Sequence, residues 1–250
     1  MQAIITRKKK KYPIKNEHLP TIQFLHLLFQ GSILVDEYAH LTGCVAGLLE
    51  MLRAFLPPTF SLLNISNNND FLLSLRNHPD TVDDFFRLNA RFLQRAALPY
   101  LQSDFLPSVI ECALMSLNLD HKDANGSVMK FIFDLLHAGR SKEEREDFEL
   151  RAAIIHKIRV EYGSRLVDGL VKAAIFYLPT YTYQDIGDIL LELMLLDRAS
   201  VCHWLEGSVR GLPEDKVTHS QLVKFHKAVT SSEEGHQVTD SIREFCRLWR

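Results

Sequence analysis

The chain has 250 residues, of which 46% are hydrophobic and 24% charged, a composition that supports a buried core and argues against an intrinsically disordered protein. Its four cysteines lie far apart without a C-x-x-C pair, which argues against a zinc cluster or a disulfide framework and fits a reducing compartment. The longest apolar stretch, residues 21–35, contains Gln23, His26 and Gln30 and is shorter than the roughly 20 residues of a membrane span, so we expect it to be buried in protein.

Charge is unevenly distributed along the chain. The formal net charge is −2, but residues 7–15, RKKKKYPIK, contribute +6 and leave −8 for residues 16–250. An acidic body is a poor nucleic-acid binder, because phosphates need clustered Lys and Arg, and it is a better partner for basic proteins. The basic run predicts a partly disordered amino-terminal segment over residues 1–30, which the family resemblance given below marks as divergent. A solvated terminus is the first interpretation of the basic run, and a nuclear-localisation signal or an RNA-binding tail is the alternative.

From residue 31 onward, apolar residues recur at helical spacing and almost never alternate as in a strand. The first well-defined helix is predicted over residues 79–95, with Pro79 in its first turn and its end near Ala96. Its apolar stripe contains Val82, Phe85, Phe86, Ala90 and Leu93. Further helices are predicted over residues 101–119, 141–163, 164–178, 182–197, 198–212, 218–231 and 232–250.

The stretch LDHKDANGSVMKFIFDLLHAG, residues 119–139, starts with a polar cluster and continues as a predicted helix. Its helical part carries an apolar stripe of Val128, Phe131, Ile132, Leu135 and Leu136. Asp123, Asn125 and Gly126 resemble part of a calcium loop, but the twelfth position, which requires glutamate, is Asp134. We interpret the cluster as structural, with Asp123 or Asn125 capping the helix and Gly126 allowing a tight turn.

The capping-box pattern of Ser141 and Glu144 predicts a helix that begins at residue 141 and carries the acidic run EEREDFE, residues 143–149, in its first turn. Gly163 is predicted to end that helix.

Pairs of helices recur along the chain. The apolar stripe that begins at Val82 aligns with the one at Val128, 46 residues later, and with the one at Ile186, a further 58 residues along. Helix pairs that repeat at about 40–60 residues without strands indicate an all-α HEAT-repeat α-solenoid of stacked antiparallel pairs, and we assign it to residues 31–250.

Neither catalysis nor a cofactor is indicated. The sequence contains no G-x-S-x-G, P-loop, G-x-G-x-x-G or H-E-x-x-H motif. We expect a protein that is not an enzyme and has no cofactor or metal site.

One surface pattern is more specific. Arg87, Arg91 and Arg95 lie four residues apart on one helix, so their guanidinium groups share a face that suits phosphates or acidic side chains of a partner. Asp83 lies one turn before Arg87 and allows the alternative of an ordinary surface ion pair. Arg91 and Arg95 have no acid at the same spacing on their helix.

Several segments resemble the carboxy-terminal part of transportin-SR receptors, which are karyopherin-β nuclear import receptors close to importin thirteen. They include GSILVDEY (31–38), HPDTVDDFFRL (78–88), LDHKDANGSVMKF (119–131), EEREDFELR (143–151), FHKAVTSSEEGHQV (225–238) and REFCRLWR (243–250). The resemblance runs from about Gly31 to Arg250.

The resemblance implies a cargo-binding segment of an import receptor that carries serine/arginine-rich splicing factors between cytoplasm and nucleus, without contact with the membrane. It implies a fragment without the amino-terminal repeats that engage Ran-GTP in this family, so we expect weak Ran binding. Nucleoporins are further expected partners. The alternative is a HEAT-repeat scaffold without transport activity, and an RNA-binding protein driven by the basic tail is a third reading.

Overall fold

Helices joined by short turns account for the secondary structure of the computed structural model, which describes residues 19–63, 71–213 and 216–249. Within these ranges there is no strand. The helices are α1 (Leu19–Tyr38), α2 (Thr42–Leu62), α3 (Phe71–Asn77), α4 (Pro79–Arg95), α5 (Ala97–Leu101), α6 (Leu106–Met115), α7 (Lys122–His137), α8 (Phe148–Lys172), α9 (Tyr183–Arg210), α10 (His219–Thr230) and α11 (Gly235–Cys246). A π-helical turn, Ala173–Tyr177, and a 3-10 turn, Thr180–Thr182, connect α8 to α9.

The helices form two layers. In one layer α1, α4, α7, the first half of α9 and α11 pack side by side in that order. The other layer contains α2, α5 with α6, α8, the second half of α9 and α10. Asp83 contacts Ser127 near the starts of α4 and α7, and Gln94 contacts Asp134 further along, so these two helices run in the same direction. Asp123 and Asp185 line one groove near the starts of α7 and α9, and His137 contacts Glu192 further along, so α9 follows the same direction. Each helix of the first layer therefore pairs with a return helix of the second, as predicted for stacked repeats.

The two predicted apolar stripes form the centre of the core. All five stripe residues of α4 and all five of α7 are buried. Phe86 of α4 meets Phe131 of α7 with ring centroids 5.4 Å apart. The periodicity predicts that both side chains face the core, because a 3.6-residue repeat places them on the apolar face of each helix, and the packing of α4 on α7 brings them together.

The helical region begins earlier than the predicted boundary at residue 31, which falls inside α1. This helix starts at Leu19. Leu28 and Val35 are buried, whereas Leu27 and Phe29 are about half exposed, so the apolar stretch over residues 21–35 is only partly covered. The rest of the predicted amino-terminal segment, residues 1–18 with the basic run, lies outside the described residues.

The predicted start and end of α8 are both wrong. The helix begins at Phe148 rather than Ser141, and the acidic run lies mainly in the exposed loop before it. It also continues through Gly163 as far as Lys172. Gly163 serves close packing there, since a Cβ atom would lie 2.4 Å from the Trp204 ring. The glycine signals contact between helices, and not the end of one.

The break predicted near residue 197 is confirmed. Asp197 has φ −165° and ψ 91°, so α9 consists of two helical segments that meet at this residue. Its carboxylate accepts hydrogen bonds from the backbone N–H of Ser200, 3.1 Å, and from the Ser200 hydroxyl, 2.7 Å, as an N-terminal cap does.

Candidate partner-binding surface

Helix α4 presents its three arginines on the outer surface of the first layer. Because the apolar stripe of the helix faces the core, residues at a four-residue spacing on the opposite side remain accessible. The exposed fractions of the Arg87, Arg91 and Arg95 side chains are 38%, 40% and 53%. We call these three residues the arginine stripe.

Arg87 forms the ion pair that its spacing predicts. Its Nη2 atom donates to both carboxylate oxygens of Asp83, at 2.9 and 2.7 Å. The hydroxyl of Ser127 on α7 donates to the same carboxylate at 2.5 Å. Asp83 therefore holds Arg87 in place and joins α4 to α7.

Arg91 and Arg95 share an acid that the local sequence does not reveal. Asp36 on α1 accepts from Nε of Arg95 at 3.0 Å and lies 3.4 Å from Nε of Arg91. As the sequence indicates, α4 has no acidic residue one turn before Arg91 or Arg95. The acidic partner is on the neighbouring helix of the solenoid, α1. The contact with Asp36 depends on the packing of α1 against α4 and cannot be predicted from the sequence of α4. One carboxylate for two guanidinium groups leaves one positive charge at this end of the stripe.

A polar network continues from the arginine stripe to α7. Arg91 donates to Gln94 Oε1 at 3.3 Å, and Gln94 donates to Asp134 at 2.7 Å. Lys130 donates to both oxygens of Asp134, at 2.6 and 2.7 Å. These contacts fix the relative positions of the charged side chains on the two helices.

Next to the stripe lies a groove of about 680 Å³ between α4, α7 and the connection to α9. We call it the α4–α7 groove. Its walls contain Arg87, Arg91, Lys122, Asp123, Asn125, Gly126, Ser127, Lys130, Tyr181, Thr182 and Asp185. The structure thus brings two of the three predicted arginines together with the polar cluster of residues 119–127, which the sequence placed 30 to 40 residues away.

Within that cluster the predicted cap is wrong. His121 caps α7, since its Nδ1 atom accepts from the Ala124 backbone N–H at 3.3 Å. Asn125 is buried inside the helix and donates to the Leu117 carbonyl at 3.1 Å. Gly126 is also helical and forms no turn. A histidine whose imidazole accepts at the cap position is a less frequent signal than Asp or Asn, so the sequence pattern does not point to it.

The described residues contain no group of three or more His, Cys, Asp or Glu side chains placed to hold a metal ion. All four cysteines are free, and burial raises the pKa of the Cys112 thiol to about 12. None of the helices in the described ranges is long and apolar enough to cross a membrane.

Parts of the chain are similar in sequence to known proteins. A family model described as the Transportin-3/Importin-13 fourth TPR domain matches residues 17–63. Transportin MOS14 of Arabidopsis thaliana is 25% identical over 233 residues, which make up 90% of this chain and 23% of that protein. The uncharacterized protein C11G11.07 of Schizosaccharomyces pombe (strain 972 / ATCC 24843) is 41% identical over 58 residues, 23% of this chain and 6% of its own length. The chain is thus similar in sequence to a transportin, and its residues 17–63 to a domain of transportin-3 and importin-13.

A solved structure has a similar fold. A structure of importin-13 in its cytosolic state matches 92% of this chain and 26% of its own, with a TM-score of 0.71 and 15% sequence identity. The fold is thus an all-α HEAT-repeat solenoid; TPR and HEAT repeats are both stacked helix pairs. The chain spans about a quarter of the length of these two receptors. One is named a transportin and the other an importin.

Proposed function

We propose that this chain is a segment of a nuclear import receptor and binds protein cargo through the surface of its helical repeats. The likeness to a transportin across 90% of the chain is the observation that carries the proposal. It is supported by the stacked helix pairs, which present an extended row of outward side chains and suit recognition of a protein surface. Such a receptor acts by binding alone and moves between cytoplasm and nucleus.

Within this function we assign cargo recognition to Arg87, Arg91 and Arg95, and serine/arginine-rich splicing factors are the cargo class that the resemblance implies. Each arginine is paired with a carboxylate of this chain, but exposed pairs of this kind contribute only about 0.2–1 kcal/mol. A phosphate group carries more negative charge than a carboxylate and three strong acceptor oxygens. Phosphorylated or acidic cargo segments can therefore displace Asp36 at low cost, whereas Asp83, 13% exposed and bonded to Ser127, is expected to stay with Arg87.

A pull-down with a purified, phosphorylated serine/arginine-rich protein tests this assignment. The variant R91E/R95E should lose at least tenfold in affinity, since it replaces two attractive charges by two repulsive ones. Its matched control is R210E/R243E, which makes the same charge change at two exposed arginines on α9 and α11, each paired with an acid on its own helix. Equal binding by wild type and R91E/R95E would remove the arginine stripe from the proposal. Failure of the wild-type chain to bind any such cargo would favour a scaffold without transport activity.

A Ran-GTP binding assay tests whether this chain binds Ran as full-length receptors of the family do. The resemblance assigns Ran contacts mainly to amino-terminal repeats, and this chain spans 23% of the transportin's length. We expect weak or undetectable capture of Ran-GTP by this chain. Tight binding that requires GTP would show that the segment has its own Ran site. Nucleoporin binding, measured with immobilised Phe-Gly repeats, is expected if the segment also contributes to passage through the pore.

A further inference from the structure

The acidic run that follows Ser141 has no capping role in the structure. Ser141 and Glu144 match a capping box in sequence, but both lie in the loop between α7 and α8. The Ser141 side chain is half-buried, and its hydroxyl forms no hydrogen bond with another group in the described part of the chain. The six residues after it, KEERED, place carboxylates at the second, third, fifth and sixth positions. The fold therefore leaves both the hydroxyl and these carboxylates available.

A serine followed by acidic residues suits an acid-directed protein kinase, because the basic substrate cleft of such an enzyme attracts carboxylates downstream of the acceptor hydroxyl. Ser241 also has a glutamate three residues later, Glu244, but it lies within α11 and its hydroxyl donates to the Gln237 carbonyl at 2.8 Å. Ser141 lies in a loop, which opens locally at lower cost than a helix and can enter a kinase cleft. The structure thus distinguishes Ser141 from a match to the same pattern inside a helix.

Ser141 also lines a cavity whose wall has an excess of positive charge. The cavity measures about 170 Å³ and lies between the ends of α4 and α7 and the loop before α8. Its charged and titratable wall residues are Asp134, His137, Lys142, Arg145 and Arg151. Three of these have partners of opposite charge on this chain, namely Lys130 for Asp134, Glu192 for His137 and Asp147 for Arg151. Lys142 and Arg145 are exposed and have no ion-pair partner within the described ranges.

A phosphate on Ser141 would supply the charge that this wall lacks. The three glutamates of the loop are exposed, and none of them lines the cavity. A phosphoserine carries a charge of about −1.5 to −2 and three strong acceptor oxygens, which match two cationic side chains. The carboxyl end of α7 opposes an anion, but Arg151 already donates to the carbonyls of Ala138 and Ser141 there. Lys142 and Arg145 remain free to bind the phosphate.

We propose that Ser141 is a phosphorylation site for an acid-directed serine kinase and that its phosphate binds between Lys142 and Arg145. In the reaction the Ser141 Oγ atom attacks the γ-phosphorus of ATP held by the kinase, and the bond from that phosphorus to the bridging oxygen of ADP breaks. The hydroxyl proton passes to the catalytic base of the kinase, and ADP leaves. The new ion pairs join residues of the loop that leads into α8 and stabilise it. This site does not depend on the chain being a transport receptor.

Incubation of the full chain with casein kinase 2, an acid-directed serine kinase, and ATP tests the site. Tandem mass spectrometry should locate a phosphate on Ser141, and Ser141→Ala should lack it. Glu144→Gln should slow the modification about tenfold, and Glu149→Gln, the same charge change eight residues after the serine, should slow it less than about twofold. A synthetic peptide of residues 138–150 serves as the unfolded substrate. Modification of the peptide but not of the folded chain, modification of neither, or equal slowing by the two glutamate variants would overturn the site.

Thermal melting of the phosphorylated chain tests where the phosphate binds. Phosphorylation should raise Tm by about 2–4 °C. The variant K142Q/R145Q should still accept phosphate on Ser141 but should lose this rise. Its matched control is R76Q/K157Q, which removes the same charge at two exposed cations that do not line the cavity and have no ion-pair partner in the described part of the chain, and it should keep the rise. An unchanged or lower Tm after phosphorylation of the wild-type chain, or the same rise in K142Q/R145Q, would overturn the assigned phosphate contacts.

Discussion

Two turns link the two layers of helices: the loop between α7 and α8, and the break in α9 at Asp197. Each turn is bound by a buried arginine of α8, but the sequence specifies the two turns in different ways. Arg151, 2% exposed, donates to the carbonyls of Ala138, Ser141 and Lys142 and so holds the loop between α7 and α8. Arg159, 6% exposed, pairs at 2.8 Å with Asp197 at the break in α9.

The two turns differ in how far along the chain their hydrogen-bond partners lie. Asp197 caps its own helix through Ser200, three residues away, so the break exists as a short sequence signal before Arg159 contributes. The loop after α7 has no such signal. Its carbonyls find their donor 9 to 13 residues later, on the helix that the loop leads into. A local signal can be read from sequence, and a distant donor cannot.

The largest effect is expected from removing the donor of the nonlocal turn. Arg151→Met should lower the free energy of unfolding by about 3–5 kcal/mol, because it leaves buried carbonyls and Asp147 without their partner. Urea denaturation measures this. Arg145→Met, in the same loop but exposed, should stay within about 0.5 kcal/mol of wild type. A similar loss in both variants would mean that the loop tolerates any change poorly and that Arg151 has no special role.

The next largest effect is expected in α8, the helix that contains Arg151 and Arg159. Gly163→Ala should cost about 1–3 kcal/mol, since its Cβ would meet the Trp204 ring at 2.4 Å and the core would be overpacked. Gly207→Ala is the matched control, with no atom within 4 Å of its added Cβ, and should stabilise the chain by up to about 1 kcal/mol. Thermal melting that ranks the two variants in the opposite order would refute the role of Gly163 in packing.

Asp197→Asn probes the ion pair at the local turn and should cost about 1–2 kcal/mol at neutral pH, because asparagine can still cap the helix but leaves the buried Arg159 without its anionic partner. Hydrogen bonds from the Ser200 N–H and hydroxyl, and then the charge of Arg159, lower the pKa of Asp197 below its ordinary value of 3.8. The stabilisation is therefore complete above that pH and is lost as the pH falls through the lowered pKa. The difference between wild type and Asp197→Asn should shrink between pH 5 and pH 2, and a constant difference would contradict the assignment.

The smallest effect separates a true capping box from an apparent one. Thr218 accepts from the Gln221 N–H and the Gln221 side chain accepts from the Thr218 N–H, so Thr218→Ala should cost about 1 kcal/mol. Ser141 matches the same pattern in sequence but lies in a loop, and Ser141→Ala should cost less than about 0.3 kcal/mol. Equal costs in chemical denaturation would show that Ser141 has a capping role after all.

The candidate surface shows the same division. The four-residue spacing predicts that Arg87, Arg91 and Arg95 share a face, and the pair of Arg87 with Asp83 follows from it. The pairing of Arg91 and Arg95 with Asp36 joins residues more than 50 positions apart. The α4–α7 groove likewise combines α4, the start of α7 and Tyr181. The spacing of residues within one helix does not predict these contacts, because they join different helices.

Local sequence patterns predict the all-α class, the stripes of α4 and α7 that form the core, the arginine stripe and the break at Asp197, because each depends on residues within a few turns of one another. The repeat of helix pairs follows from the recurrence of such stripes along the chain. The packing of helices against one another sets where α8 begins, why Gly163 lies inside a helix, which carboxylates pair with the arginines and where the α4–α7 groove lies. These features depend on which helices stack side by side, and stacking brings together charges and surfaces that local periodicity does not encode.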